Sequence, residues 1–146
     1  MSLWKQPADP ARLNGWSANT MMEALGIRIT AVGDDWLQGT MPVDQRTHQP
    51  YGLLHGGASV ALAETLGSTA AMLTLDPEKE LAVGLDINAN HIRGVRSGTV
   101  TGTAKALHIG RTTQVWEIRI ENEEGALVCI SRITMAVIPA RGMGVR

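Results

Sequence analysis

The sequence predicts an α+β domain in which a curved antiparallel sheet wraps around one long central helix, and three observations predict it. Residues 56–75, GGASVALAETLGSTAAMLTL, form an unbroken helical stretch of small and apolar residues. Two alternating segments precede that stretch and four β-rich segments follow it. The connectors between the later segments are short and turn-like, which implies neighbouring antiparallel strands. At 146 residues the chain reads as one domain over 1–146, with its core over about 11–138 and short tails at both ends.

Taken in order, Pro10 to Leu25 carries Leu13, Trp16, Met21, Met22 and Leu25, an irregular apolar stripe that reads as a short lead helix stopped by Gly26. Ile27 to Val32 and Trp36 to Val43 alternate around Gly33-Asp34-Asp35, the pattern of a hairpin. Residues 44–55, DQRTHQPYGLLH, are polar and broken by Pro50 and Gly52, so they form a loop into the long helix. Gly56 to Leu75 would be about 30 Å long as a helix. Its residues are small enough on every side to be wrapped by other backbone all round. Asp76-Pro77 closes it, and strands are expected over Leu81–Ile92, Gly98–Leu107, Thr113–Glu121 and Ala126–Ile138. The connectors Arg93–Ser97, His108–Thr112 and Asn122–Gly125 join them. No repeat, low-complexity tract or linker interrupts the chain.

Composition narrows the function classes. Thirteen Lys and Arg against 14 Asp and Glu leave a net charge of −1, so no basic field exists for nucleic acid or an anionic membrane. The single cysteine, Cys129, falls mid-strand among apolar residues and reads as inert core. The opening MSLWKQPADP lacks the apolar run of a secretory signal, and a cytoplasmic protein is expected. The glycines, hydroxyl residues and Glu64 of the long stretch make it a poor membrane span. With no Phe and one Tyr, the core falls to aliphatic residues, Met and four Trp, which favours tight packing around small side chains.

Glu64 is the one ionisable residue of the long helix. A charge buried there without a partner costs several kcal/mol, so such a Glu is paired, protonated or catalytic. Its helical neighbours Val60, Ala61, Gly67, Ser68 and Ala71 supply no countercharge, although a solvated stripe would also accommodate it. His55-Gly56-Gly57 stands where loop becomes helix, and free N–H groups at the positive end of a helix dipole form a corner suited to an oxyanion. A Gly-Gly pair also serves as a tight turn into a helix. Gly56 and Glu64 lie about 12 Å apart along the axis and about 80° around it, too far for one small reacting group. Two antiparallel copies of the helix would bring Gly56 of one chain near Glu64 of another, which predicts an obligate homodimer with sites at the interface. Ser68, one turn beyond Glu64, is in reach of the carboxylate or a water it activates, while Gln49 offers an amide donor for a carbonyl. Both also read as ordinary structural or surface residues. His48, His91 and His108 lack the spacing of a zinc site, and no phosphate loop, serine elbow or dinucleotide fingerprint occurs, so no metal or cofactor is expected.

Two stretches, RTHQPYGLLHGGASVALAETLGS and AVGLDINANHIRGVRSGTVTGTAKALHIGRTTQVWEIRI, resemble the hotdog-fold acyl-CoA thioesterases. The resemblance is to the PaaI-like branch that holds the 4-hydroxybenzoyl-CoA type, and within it to the menaquinone-pathway (1,4-dihydroxy-2-naphthoyl-CoA) and enterobactin-proofreading enzymes. It runs from about Trp4 to Ile138 and implies a hotdog fold, dimers assembling into a tetramer, and active sites between subunits. It makes Glu64 the catalytic carboxylate, as nucleophile or general base, with the Gly56 N–H and Gln49 polarising the thioester carbonyl. His55 would position the thioester or departing thiolate, Ser68 would orient Glu64 or its water, and His91 would line the site. Val83 and Leu85 stand among the candidate pocket walls with Leu53, Leu54, Val60 and Met72. Of Arg93, Arg96, Lys105 and Arg111, any of which could pair with coenzyme A phosphates or be plain surface charge, Arg111 after Gly110 resembles the family's nucleotide rim. The activity implied is hydrolysis of an acyl-CoA, with an aromatic acyl group, or of an acyl group on a carrier-protein arm. Coenzyme A then enters as part of the substrate. A non-catalytic acyl-thioester binding module and a hotdog hydratase or dehydratase are the alternatives.

Overall fold

The computed structural model describes residues 1–141; the last five residues of the ARGMGVR tail lie outside the described range. Nine elements follow in order: α1 (Pro10–Gly15), α2 (Met21–Leu25), β1 (Arg28–Val32), β2 (Trp36–Pro42), α3 (Gly56–Leu73), β3 (Glu80–His91), β4 (Thr99–Ile109), β5 (Thr113–Glu121) and β6 (Leu127–Pro139). All six strands form one antiparallel sheet in the order β1-β2-β4-β5-β6-β3. Helix α3 lies across one face of it, the α+β hotdog arrangement expected from the sequence. No helix among the described residues is long and apolar enough to cross a membrane.

The packing of α3 follows from small residues on both partners. Gly39 and Gly102 face each other across the β2–β4 ladder, and the Leu66 side chain lies over both. A Cβ built on either glycine would stand 2.6–2.7 Å from a Leu66 methyl. The next residue, Gly67, admits the Ile133 and Ile118 side chains of β6 and β5. Leu62, Ala63, Leu66, Ala70, Ala71 and Leu73 are fully buried against this face, joined by Trp116, Ile118, Ile120, Cys129 and Ile133. Bulges between Gly84 and Asp86 and between Ala106 and His108 bend the strands as the sheet closes on the helix.

The far end of α3 is closed by the N-terminal segment. The Gln6 side-chain amide donates to the Met72 and Leu75 carbonyls, satisfying groups that the helix end leaves free. Trp4 stacks on Trp116 at 6.3 Å between ring centroids, and a buried chain runs from Trp116 Nε1 to Gln114 and from Gln114 to Thr74 Oγ1.

The structure corrects the sequence reading in four places. The lead helix is two short helices, because Asn19 adopts φ 60° and Thr20 caps a new start by accepting from Met22 N–H. Helix α3 ends at Leu73 instead of Leu75, with Thr74 as its cap. Strands β3 and β4 are not neighbours: β3 pairs with β6 at the sheet edge, and β4 pairs with β2 and β5. The connector between them makes its hydrogen bonds elsewhere, with Val95 O accepting from Leu54 N–H and Gly98 O from Val43 N–H, so it crosses the sheet end. Finally, α3 is covered on one side only. Val60, Ala61, Glu64, Thr65, Ser68, Thr69 and Met72 are only partly buried, and they form one continuous face.

Candidate active site

The loop before α3 is built to present the helix terminus. Asp44 accepts from the Arg46 backbone N–H and guanidinium, which hold its carboxyl down at about 2 and fix the start of the loop. His55 N–H donates to Thr47 O, and His55 Nδ1 accepts from Gly57 N–H at 2.7 Å. The imidazole thus serves as the helix cap and, when neutral, keeps its proton on Nε2. Among the described residues the Gly56 N–H has no hydrogen-bond acceptor, so it remains available at the positive end of α3.

Beside that N–H lies a depression of about 330 Å³, lined by Gln49, Leu53, Leu54, Gly56, Ser59, His91, Ile92, Arg93, Gly94 and Val128. Here the structure brings together three residues named from sequence: Gln49, Gly56 and His91. A Cβ on Gly56 would sit 2.9 Å from His91 Nε2, so the imidazole, at the end of β3, covers the helix terminus and only glycine leaves the N–H accessible. Gln49 Oε1 accepts from Tyr51 N–H, which turns the amide NH₂ outward as a free donor. Among the described residues, both Gly56 N–H and the Gln49 amide are therefore donors without an acceptor. Arg93 lines the same depression, as do Leu53 and Leu54 of the wall candidates.

The other site candidates lie elsewhere on the protomer. Glu64 projects over Gly84 of β3, where a Cβ would meet Oε1 at 2.8 Å. Among the described residues the carboxylate has no ion-pair partner. Ser68 stands over the same rung, since Gly84 pairs with Met135 and the Ser68 hydroxyl donates to Met135 Sδ at 3.8 Å instead of to Glu64. Val83 and Leu85 flank Gly84, and Leu85 is the extra residue of the bulge, 62 % exposed. The His55 ring opens into a second depression with Met21, Leu25, His48 and Ala58. Gly110 and Arg111 line a third, with Lys5, Thr74 and Gln114 at the opposite end of α3. Lys105 pairs with Asp35 on the surface, and Arg96 donates to Tyr51 O.

Sequence reasoning missed Ser59, Ile92, Gly94 and Val128 as lining residues. Ser59 carried a usable signal, for it follows Gly56 by three positions and therefore shares its helix face. Val128 comes to the site only through the β3–β6 pairing, where Ile92 N–H donates to its carbonyl. That pairing has no local trace in the sequence.

The comparisons with known proteins bear on the family and the fold. The profile of the thioesterase superfamily matches residues 51–129, more than half of the chain, from the loop before α3 to the start of β6. The chain is 50 % identical to the 1,4-dihydroxy-2-naphthoyl-CoA hydrolase of Escherichia coli, over 93 % of this chain and 99 % of that one. It is 52 % identical to the proofreading thioesterase EntH of Cronobacter sakazakii, over 93 % and 98 %. The crystal structure of a thioesterase from Haemophilus influenzae superposes with a TM-score of 0.93 at 51 % identity, covering 97 % of this chain and 99 % of that one. The chain belongs to the thioesterase superfamily, has its hotdog fold and is a thioester hydrolase.

Proposed function

We propose that the protein hydrolyses aromatic acyl-CoA thioesters at a site shared between two copies of the chain. The observation that carries this reading is the division of the chemistry within one protomer. The carbonyl-polarising donors, Gly56 N–H and Gln49 Nε2, line one depression, while the carboxylate of Glu64 stands over Gly84 on the uncovered face of α3. A second copy supplies what is missing. Strand β3 is a sheet edge and carries both halves, with Gly84 under Glu64 and His91 beside Gly56. A twofold axis between residues 87 and 88 would pair two β3 edges antiparallel and set Gly84 of one copy opposite His91 of the other. It would also cover the edge and pack the open faces of two α3 helices together. Pairs of such dimers forming a tetramer complete the proposed assembly.

In this site the thioester carbonyl would lie against Gly56 N–H and the Gln49 amide, which gain strength as negative charge develops on its oxygen. Losing one such donor costs about 3 to 4 kcal/mol of transition-state stabilisation. Glu64 from the other copy either attacks the carbonyl carbon, expelling the thiolate and forming an anhydride that water then cleaves, or takes a proton from the water that attacks directly, and Ser68 beside it orients that carboxylate or water. The thiol leaves as a thiolate, a far better leaving group than an alkoxide, so no strong general acid is required. The Nε2–H of His55 and the ring of His91 would position the thioester and the departing sulfur. Val83 and Leu85, next to Glu64, would contribute acyl-pocket wall. Arg111 and Gly110, at the rim beyond the C-terminal end of α3, would take the nucleotide of coenzyme A.

The likeness to a 1,4-dihydroxy-2-naphthoyl-CoA hydrolase supports an aromatic acyl group. The likeness to a proofreading thioesterase supports a second substrate class, acyl groups on the phosphopantetheine arm of a carrier protein. The test is thiol release from benzoyl-CoA, a medium-chain acyl-CoA and a benzoylated carrier protein, by the wild type and by Glu64→Gln. The reading requires faster release from the aryl thioesters and its collapse in the variant; full activity of Glu64→Gln removes Glu64 from the mechanism.

A further inference from the structure

Ser59 is 1 % exposed, yet it lines the depression that holds Gly56, Gln49 and His91. Its hydroxyl makes no hydrogen bond among the described residues. The contrast with other hydroxyls of this helix is direct: Thr65 Oγ1 donates to Ala61 O, and Thr74 Oγ1 donates to Ala71 O at the cap. Nor is the Ser59 oxygen sealed in the core, for the one fully enclosed and unpartnered side-chain oxygen among the described residues is that of Ser131. Ser59 Oγ is therefore not among the sealed oxygens, and the depression that Ser59 lines is the open space beside it.

The walls around it are apolar: Leu53, Leu54, Ile92 and Val128. A lone hydroxyl in such a wall has no solvent to satisfy it once a ligand fills the space, so it rewards a ligand that places one polar atom there and penalises one that does not. Position decides which atom. Ser59 is three residues beyond Gly56, and side chains at that spacing stand about 5–6 Å apart on one helix face. With the thioester carbonyl held at Gly56, a hydroxyl one turn along the same face matches the reach of a substituent on the far side of an aryl ring, about 5–6 Å away.

We propose that Ser59 is a specificity-determining residue whose hydroxyl hydrogen-bonds a ring hydroxyl of the acyl group, so that hydroxyaryl thioesters are preferred over unsubstituted ones. This rests on the reading that an aryl thioester occupies the depression with its carbonyl at Gly56.

The experiment measures kcat/KM for 4-hydroxybenzoyl-CoA, 3-hydroxybenzoyl-CoA and benzoyl-CoA with wild type, Ser59→Ala and Ser59→Thr. Wild type favours at least one hydroxybenzoyl substrate; Ser59→Ala loses about 10- to 100-fold on it while changing benzoyl-CoA by less than about twofold. Ser59→Thr, which keeps the hydroxyl, retains the preference and guards against a folding artefact in the alanine variant. A merely structural role lowers all substrates together, and that parallel loss overturns the proposal. So does an unchanged hydroxybenzoyl-to-benzoyl ratio in Ser59→Ala, or a wild type blind to the ring hydroxyl. Failure of the aryl reading itself shows separately, as a wild type that releases thiol from alkyl-CoA but from none of the three aryl substrates.

Discussion

Adding one methyl group at Gly84 tests where Glu64 works. The Cβ of an alanine there would stand 2.8 Å from Glu64 Oε1 and would otherwise meet only the rest of that carboxylate within 4 Å. Gly84 is not among the glycines held at positive φ, so alanine suits its backbone, and in a strand it removes some freedom from the unfolded chain. The carboxylate must therefore yield, moving by about 0.6 Å or more to restore an ordinary contact. Displacements of this order in a reacting group cost up to about 100-fold, and a 10- to 100-fold fall in kcat corresponds to about 1.4 to 2.7 kcal/mol. The expected result for Gly84→Ala is that fall in kcat, read by thiol release, with a melting temperature within about 3 °C of wild type. Wild-type turnover by Gly84→Ala beside an inactive Glu64→Gln would refute the argument, because it would separate the working position of the carboxylate from the one over Gly84.

The packing of α3 makes Gly39→Ala destabilising. Its Cβ would press on Leu66 Cδ2 at 2.7 Å and on the immobile Arg28 carbonyl at 2.8 Å. A loss of about 2 kcal/mol and roughly 6 °C in Tm is expected, and an unchanged Tm contradicts the close contact. Ser131→Ala works in the opposite direction. It removes a buried hydroxyl that has no partner among the described residues and should raise Tm by roughly 3 °C, about 1 kcal/mol, whereas an equal drop would reveal a hydrogen bond. Cys129 is fully buried, and burial pushes its thiol up, away from the reactive thiolate. The folded protein should therefore give no signal with a colorimetric thiol reagent near neutral pH until denaturant is added, and rapid labelling of the native protein would contradict this.

Much of the fold is legible in the sequence because its signals are local. The small-residue run of α3, the Gly33 hairpin and the alternation of β5 each depend on near neighbours; β5 falls on its expected bounds and the other two within two residues of theirs. The placement of β3 beside β6 is not local. The connector after His91 has the length of a turn, but its hydrogen bonds go to Leu54 and Val43, which sequence spacing does not couple to it. The split of the lead helix turned on Thr20 as a cap, a signal present in the sequence but outweighed by the apolar stripe. At the site, Gly56, Gln49 and His91 line one depression, whereas Ser59 escaped notice because a helical serine followed by apolar residues reads as structure. The uncovered face of α3 bears on both levels: the run of small residues indicated burial on all sides, and one protomer buries only half of it.

The central claim is that one hydrolytic site takes Gln49 and Gly56 from one chain and Glu64 from another. Its most direct test is a heterodimer of Gln49→Ala and Glu64→Gln protomers, co-expressed with different tags, purified through both and assayed by thiol release against each homodimer. Shared sites leave one of the two sites intact, so the heterodimer should recover about half of the wild-type rate while both homodimers remain impaired. A heterodimer no more active than the two homodimers would place Gln49 and Glu64 in the same chain's site and contradict the account.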